Sequence, residues 1–158
     1  MKTNLPEAQR QDSRLPTFPS IEVAERELFA MRDESLRWVD EFARNKGREL
    51  KYEPDALASL EDLYFEQWDG SFAARLRRNR PTFEFAMGMF LGAVAVGEHR
   101  AAWTIYESPF AKNHFGIAVR RRNSTVVLNS LGSRWDRRPR NERRRLLRRM
   151  YDRFFAAD

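Results

Sequence analysis

The chain has 158 residues, 42% of them hydrophobic and 13% aromatic, which is enough for one packed domain without disulfide or metal staples. It contains no cysteine and only two histidines, His99 and His114; this excludes disulfides, thiolate metal sites, iron–sulfur clusters and a cysteine nucleophile, argues against a multi-histidine metal site, and leaves no cofactor to expect. Charge is split along the chain: residues 1–70 carry 10 Lys/Arg against 16 Asp/Glu, a formal −6, and residues 71–158 carry 19 against 7, a formal +12, for the total of +6.

Residues 1–19 are polar and punctuated by Pro6, Pro16 and Pro19. They read as a flexible N-terminal arm ahead of a single domain at 20–158. The arm has no apolar core of the kind a secretory signal needs, so the chain reads as cytoplasmic. Ser20 can cap a long helix, with Glu22 and Glu25 at the positive end of its dipole. Ile21, Ala24, Leu28, Met31, Ser35, Val39 and Phe42 follow the three-four spacing of one buried stripe, flanked by Trp38. Gly47 is placed to end this helix in a left-handed conformation.

Pro54 suits the first turn of a second helix, with Leu57, Leu60, Leu63, Tyr64, Gln67 and Trp68 on its apolar face and Gly70 as its stop. Residues 71–78 can add one helical turn before Asn79-Arg80-Pro81 breaks the chain. Thr82 can cap a third helix over 83–96. Its apolar run, 85–96, is twelve residues; about twenty are needed to cross a membrane, so it reads as a central core helix. Gly88 and Gly92 lie one turn apart, where small residues let another element come close.

Residues 102–107, 115–121 and 125–129 have strand character, the last two joined by a tight turn at Arg122-Asn123-Ser124 and the first two by a loop at 108–114. They predict a three-stranded antiparallel meander. Residues 141–155 predict a closing helix whose apolar stripe is Leu146, Leu147, Met150, Tyr151, Phe154 and Phe155. The fold class is therefore α+β: two amphipathic helices, a buried apolar helix, a β-meander and a basic C-terminal helix.

Ten arginines fall within residues 134–153. Arg134, Arg137, Arg138 and Arg140 surround Trp135 in a loop, and Arg144 and Arg148 continue the basic surface onto the last helix. Arg75, Arg77, Arg78 and Arg80 form a smaller cluster before the third helix, and Arg120, Arg121 and Arg122 tip the hairpin. Arginine contacts phosphate and carboxylate bidentately, and an exposed tryptophan can stack on a base. Against this stands the plainer reading, a solvated face or internal pairing with the acidic first helices. No zinc-finger spacing, Gly-rich phosphate loop or RNA-recognition aromatic motif is present.

Glu98, His99, Glu107, Ser108 and His114 are the residues from which an enzyme site could be assembled, if the end of the buried helix and the loop after the first strand converge at one edge. More simply, Glu98 and His99 are the polar exit from a buried helix, and His114 is a loop residue or a cap.

Tyr52-x-Pro54-x-Ala56-Leu57-x-x-Leu60, then Phe90-Leu91-Gly92 in an apolar helix, then Trp103 opening a strand, resembles a pattern in small bacterial proteins of unknown function, over about residues 52–131. The resemblance implies an α+β fold and a bacterial source, and no activity.

The leading functional expectation is a non-enzymatic binding or accessory protein that engages an acidic partner, another protein or a second copy of itself, through the Arg-rich C-terminal surface. Nucleic acid bound by the same patches is the alternative, a small enzyme at the Glu/His/Ser edge is third, and a membrane or a metal is not expected.

Overall fold

The computed structural model describes residues 7–68, 80–129 and 145–156. Within them the elements are α1 (Glu7–Asp12), α2 (Ile21–Asn45), α3 (Pro54–Trp68), α4 (Arg80–Gly97), β1 (Ala102–Glu107), β2 (Phe115–Arg121), β3 (Ser124–Val127) and α5 (Leu146–Tyr151), which runs into a π-helical turn at Asp152–Ala156. The architecture is α+β, as read from the sequence.

Helix α2 starts where its sequence signal lies: Ser20 is extended, and its hydroxyl accepts the N–H of Val23 at 3.2 Å. It ends at Gly47, whose φ of 74° is the left-handed capping conformation, with Arg48 N–H donating back to Ala43 O at 2.9 Å. Ala24, Leu28, Val39 and Ala43 are buried. Of the expected stripe, Ile21 and Met31 are exposed, and Ser35 and Phe42 are half-buried. Ile21 occupies the first helical position, and Met31 and Ser35 border an open groove instead of the core.

Leu57, Leu60, Leu63 and Tyr64 of α3 are buried as their spacing requires. The third long helix begins before Thr82. It includes Arg80 and Pro81, because proline fits the first turn of a helix, where its missing N–H has no partner to lose. The Tyr64 hydroxyl donates to Glu84 Oε1 at 2.7 Å, and Arg80 Nε donates to both, at 3.0 Å and 2.9 Å. This triad fixes the start of α4 on α3.

Helix α4 is the centre of the molecule. Phe83, Met87, Met89, Phe90, Leu91 and Val94 are buried, and the helix touches α2, α3, β1, β2 and α5. Each such side chain contributes about 1.5–3 kcal/mol of transfer free energy. Gly92 sets the spacing to the sheet: a Cβ there would fall 2.5 Å from Trp103 Cη2 and 2.7 Å from Leu128 Cδ1.

The sheet has the order β1-β2-β3, antiparallel throughout, with Trp103 opposite Val119 and Ile105 opposite Ile117. β3 runs over Ser124–Val127 rather than 125–129; beyond it Leu128 N–H still reaches Ile117 O at 2.9 Å, and the Asn129 side chain takes over by accepting Ile117 N–H at 2.6 Å. The hairpin turn places Arg122 at φ 54°.

The segment expected to be a flexible arm is helical over Glu7–Asp12 and docked from Asp12 onward. Asp12 and Leu15 are buried, Phe115 N–H donates to Pro16 O at 3.0 Å, Thr17 bridges His114, and the Phe18 ring lies 6.3 Å from Phe115. The strap lies along the half of β2 that short β3 leaves unpaired. Such long-range contacts, made by a polar and proline-rich segment, leave no periodicity to read.

The last helix differs from its expected span of 141–155. Arg145 is left-handed, with φ 64° and ψ 22°, so no helix runs through it. Residues 141–144 lie outside the described residues. Leu146, Leu147, Met150, Tyr151 and Phe155 are buried as expected. No helix among the described residues is long and apolar enough to cross a membrane.

Candidate functional site

Among the described residues, the arginines singled out by the sequence differ in whether a carboxylate pairs them. Arg148 is paired: its Nη1 donates to Asp55 Oδ1 of α3 at 2.9 Å, and its Nε lies 3.2 Å from Asp152, one turn on. Its guanidinium pKa is raised, with these carboxylates outweighing its desolvation. Part of the basic half thus faces the acidic half.

The hairpin tip is different. Arg121 Nη1 donates to the main-chain carbonyl of Phe154 at 3.2 Å, and Arg120 Nε donates to Arg122 O at 3.3 Å. Arg153 lies over the Phe154 ring at 5.4 Å. These contacts tie Arg121 to the chain beside Arg153 at the hairpin end of the sheet and Arg120 to the turn at Arg122, with the side chains of Arg120 and Arg121 leaving opposite faces of β2. Among the described residues none of the four is ion-paired with a carboxylate. Arg120 and Arg153 are exposed and Arg122 is exposed with them at the turn, so their charges meet solvent. A cluster of this kind attracts carboxylates or phosphates. Arg75, Arg77, Arg78, Arg134, Trp135, Arg137, Arg138, Arg140 and Arg144, which the sequence also singles out, lie outside the described residues.

The residues of the enzyme reading divide between two ends of β1. His99 has φ 56°, and Arg100 N–H donates to Ala95 O at 2.8 Å, so Glu98 and His99 form the left-handed C-terminal cap of α4 and are exposed. Glu107, Ser108 and His114 lie at the other end of the six-residue strand, a rise of about 20 Å. There Ser108 donates to Asp12 Oδ2 at 2.7 Å and accepts N–H bonds from Phe110 and Ala111, at 3.1 Å and 3.0 Å. Tyr106 donates to the same Asp12 oxygen at 2.8 Å, and His114 Nδ1 bonds Leu15 O at 2.8 Å. The serine hydroxyl is committed to a carboxylate and two amides, and the imidazole to a carbonyl. This geometry ties down the N-terminal strap and the loop; the acceptor of the serine proton is the Asp12 carboxylate, which also takes the Tyr106 hydroxyl, and among the described residues no imidazole hydrogen-bonds the serine. Among the same residues no group of three or more His, Asp or Glu is placed to hold a metal ion.

Two buried carboxylates escaped the sequence reading. Asp12 gave no signal, because it sits in a polar segment. Glu61 did: it occupies a helical position between Leu57 and Tyr64, so a charge interrupts an apolar stripe. Its carboxylate accepts N–H bonds from Leu146, at 3.1 Å, and from Leu147, holding the start of α5. Burial pushes its pKa up to about 7, against the lowering effect of those amides.

A groove of about 450 Å³ between α2 and the start of α4 is lined by Met31, Glu34, Ser35, Trp38, Pro81, Thr82 and Phe85. Only the first turns of α4 reach it; the rest of that helix is core.

Comparison with curated proteins and with solved structures returns no match. One family model matches residues 17–155, which takes in all of the sheet, α2 to α5 and the hairpin-tip arginines. It agrees with the resemblance read over residues 52–131, and the chain belongs to the family described as uncharacterised protein YwmA.

Proposed function

We propose that this is a non-enzymatic binding protein that engages an acidic protein surface, another protein's or a second copy's, through the Arg-rich end of the molecule. The observation that carries the reading is that Arg120, Arg121, Arg122 and Arg153, at the hairpin and at the C-terminal turn to which Arg121 is tied, have no ion-paired carboxylate among the described residues. Arg148 supports an acidic protein over nucleic acid, because its pairing with Asp55 is an instance of this chain's arginines meeting acidic helix surface. The absence of nucleic-acid signatures from the sequence points the same way.

The test is capture from nuclease-treated native extract on the wild-type chain and on an Arg120→Glu/Arg122→Glu/Arg153→Glu variant. A protein partner retained by the wild type and lost from the variant supports the reading. The same proteins retained by both overturn it. Binding of mixed-sequence DNA or RNA that falls by orders of magnitude between about 50 and 200 mM salt would favour the nucleic-acid alternative instead.

A further inference from the structure

We infer that the outer edge of β1 pairs with the β1 edge of a second copy, giving a two-fold dimer with one continuous six-stranded sheet. This surface is separate from the arginine cluster and does not depend on it.

The directions of the main-chain groups follow from the bonds of β2. Phe115 N–H donates to Pro16 O and Ile117 N–H to Asn129 Oδ1, both on the β3 side. Alternation along the strand then turns Gly116, Ala118 and Arg120 toward β1. Through the register, their partners Tyr106, Thr104 and Ala102 face β2. Trp103, Ile105 and Glu107 therefore direct their N–H and C=O groups outward. No hydrogen bond to these groups is present among the described residues.

An open edge of this length is a template for strand addition, and proteins usually blunt one with lysine, proline or a bulge. Residues 102–107 read Ala-Trp-Thr-Ile-Tyr-Glu and contain none of these. No residue of β1 is fully buried, whereas the first five of β2 all are.

A second copy fits this edge better than a foreign strand because the edge is complementary to itself. Antiparallel pairing centred on Ile105 sets Ile105 against its own equivalent and Trp103 against Glu107. All three outward residues are then used twice, for about six main-chain hydrogen bonds. Trp103, Ile105 and Glu107 share one face of the sheet, since side chains alternate. The Trp103 ring carries the Arg32 guanidinium at 4.9 Å. In this register the Glu107 carboxylate of each copy arrives beside the Arg32–Trp103 pair of the other. Glu107 is exposed and has no ion-pair partner among the described residues.

The test is sedimentation equilibrium of the full chain, with amide exchange, over about 5 to 500 µM, where mass action separates monomer from dimer. The expected result is a dimer whose Trp103, Ile105 and Glu107 amides gain protection as concentration rises. Glu107→Lys should weaken it at least ten-fold, and adding Arg32→Glu should restore part of the loss. Ile105→Pro removes an outward N–H, not a bond to β2, and should give a folded monomer by circular dichroism. A monomer at every concentration, which leaves the edge to a strand of some other protein, overturns the inference. So does a dimer that Glu107→Lys leaves intact and whose outward amides exchange fast. Loss of the dimer would leave capture by the arginine cluster untouched, so the two readings fail separately.

Discussion

Arg121 of the hairpin and Phe154 of the C-terminal turn are joined by a guanidinium-to-carbonyl hydrogen bond of 3.2 Å. Arg121 serves as a strut between the hairpin and the C-terminal turn, and Arg120, Arg122 and Arg153 beside its two ends are exposed. Replacing Arg121 by Gln keeps a donor but removes the charge and shortens the reach. We expect a loss of about 0.5–1.5 kcal/mol of stability by urea unfolding, the worth of one hydrogen bond. Amide exchange should quicken at the hairpin turn and at residues 152–155, and not in α2.

The Arg148–Asp55 pair should behave as a surface pair, since Asp55 is almost wholly exposed, at 98%. A double-mutant cycle with both residues changed to Ala should give a coupling of about 0.2–1 kcal/mol that fades with added salt. Capture of the acidic partner should be unchanged in Asp55→Ala. A partner lost on changing Asp55 would place the binding surface on α3 instead.

Gly92→Ala should destabilise the chain although alanine is the better helix former by about 1 kcal/mol. The added methyl would meet Trp103 and Leu128 at 2.5 and 2.7 Å. Relief requires the Trp103 ring and the Leu128 side chain to shift within a packed core, and overpacking of this kind costs about 1–3 kcal/mol. Thermal unfolding of the single variant measures the sign directly.

Glu61 makes a pH prediction. Its native pKa, about 7, lies above its ordinary value of 4.5, so between those values the native state holds a proton that the unfolded state has released. Stability from this group therefore falls as pH rises from about 4.5 to 7, by a few kcal/mol at most, since each pH unit in that window costs about 1.4 kcal/mol. Glu61→Gln lacks the titration. Urea unfolding at pH 5 and pH 8 should show the variant gaining on the wild type at the higher pH, and parallel profiles would contradict the assignment.

Asp12→Ala should release the N-terminal strap. It leaves the hydroxyls of Tyr106 and Ser108 without their acceptor, at a cost of about 1–3 kcal/mol each if they stay buried. Burial first, and the Asp12 carboxylate after it, push the Tyr106 pKa up to about 12. Ultraviolet titration should find it closer to 10 in the variant.

What the sequence made legible was local. Ser20 and Gly47 bracket α2 as their chemistry requires, and residues 102–107 and 115–121 are the strands that alternation predicts. Pairing at a distance was hidden. Asp12 meets Ser108 across 96 residues, and nothing near Asp12 announces it. The left-handed Arg145 carries no glycine or asparagine to mark the break in the basic helix. The candidate site was half legible: Arg120, Arg121 and Arg122 were singled out at the hairpin and Arg153 in the basic last element, but the tie between Arg121 and Phe154 came only through the fold, and Arg80 and Arg148 proved to be paired with Glu84 and Asp55.

The most direct measurement is photo-crosslinking from the turn itself. A benzoylphenylalanine at position 123, between Arg122 and Ser124, and a control at position 55, would be irradiated in cells and the adducts treated with nuclease. Binding through the hairpin tip predicts a nuclease-resistant adduct with an acidic protein, or with a second copy of the chain, from position 123, and no such adduct from position 55. No adduct from position 123, or one that nuclease removes, would contradict it.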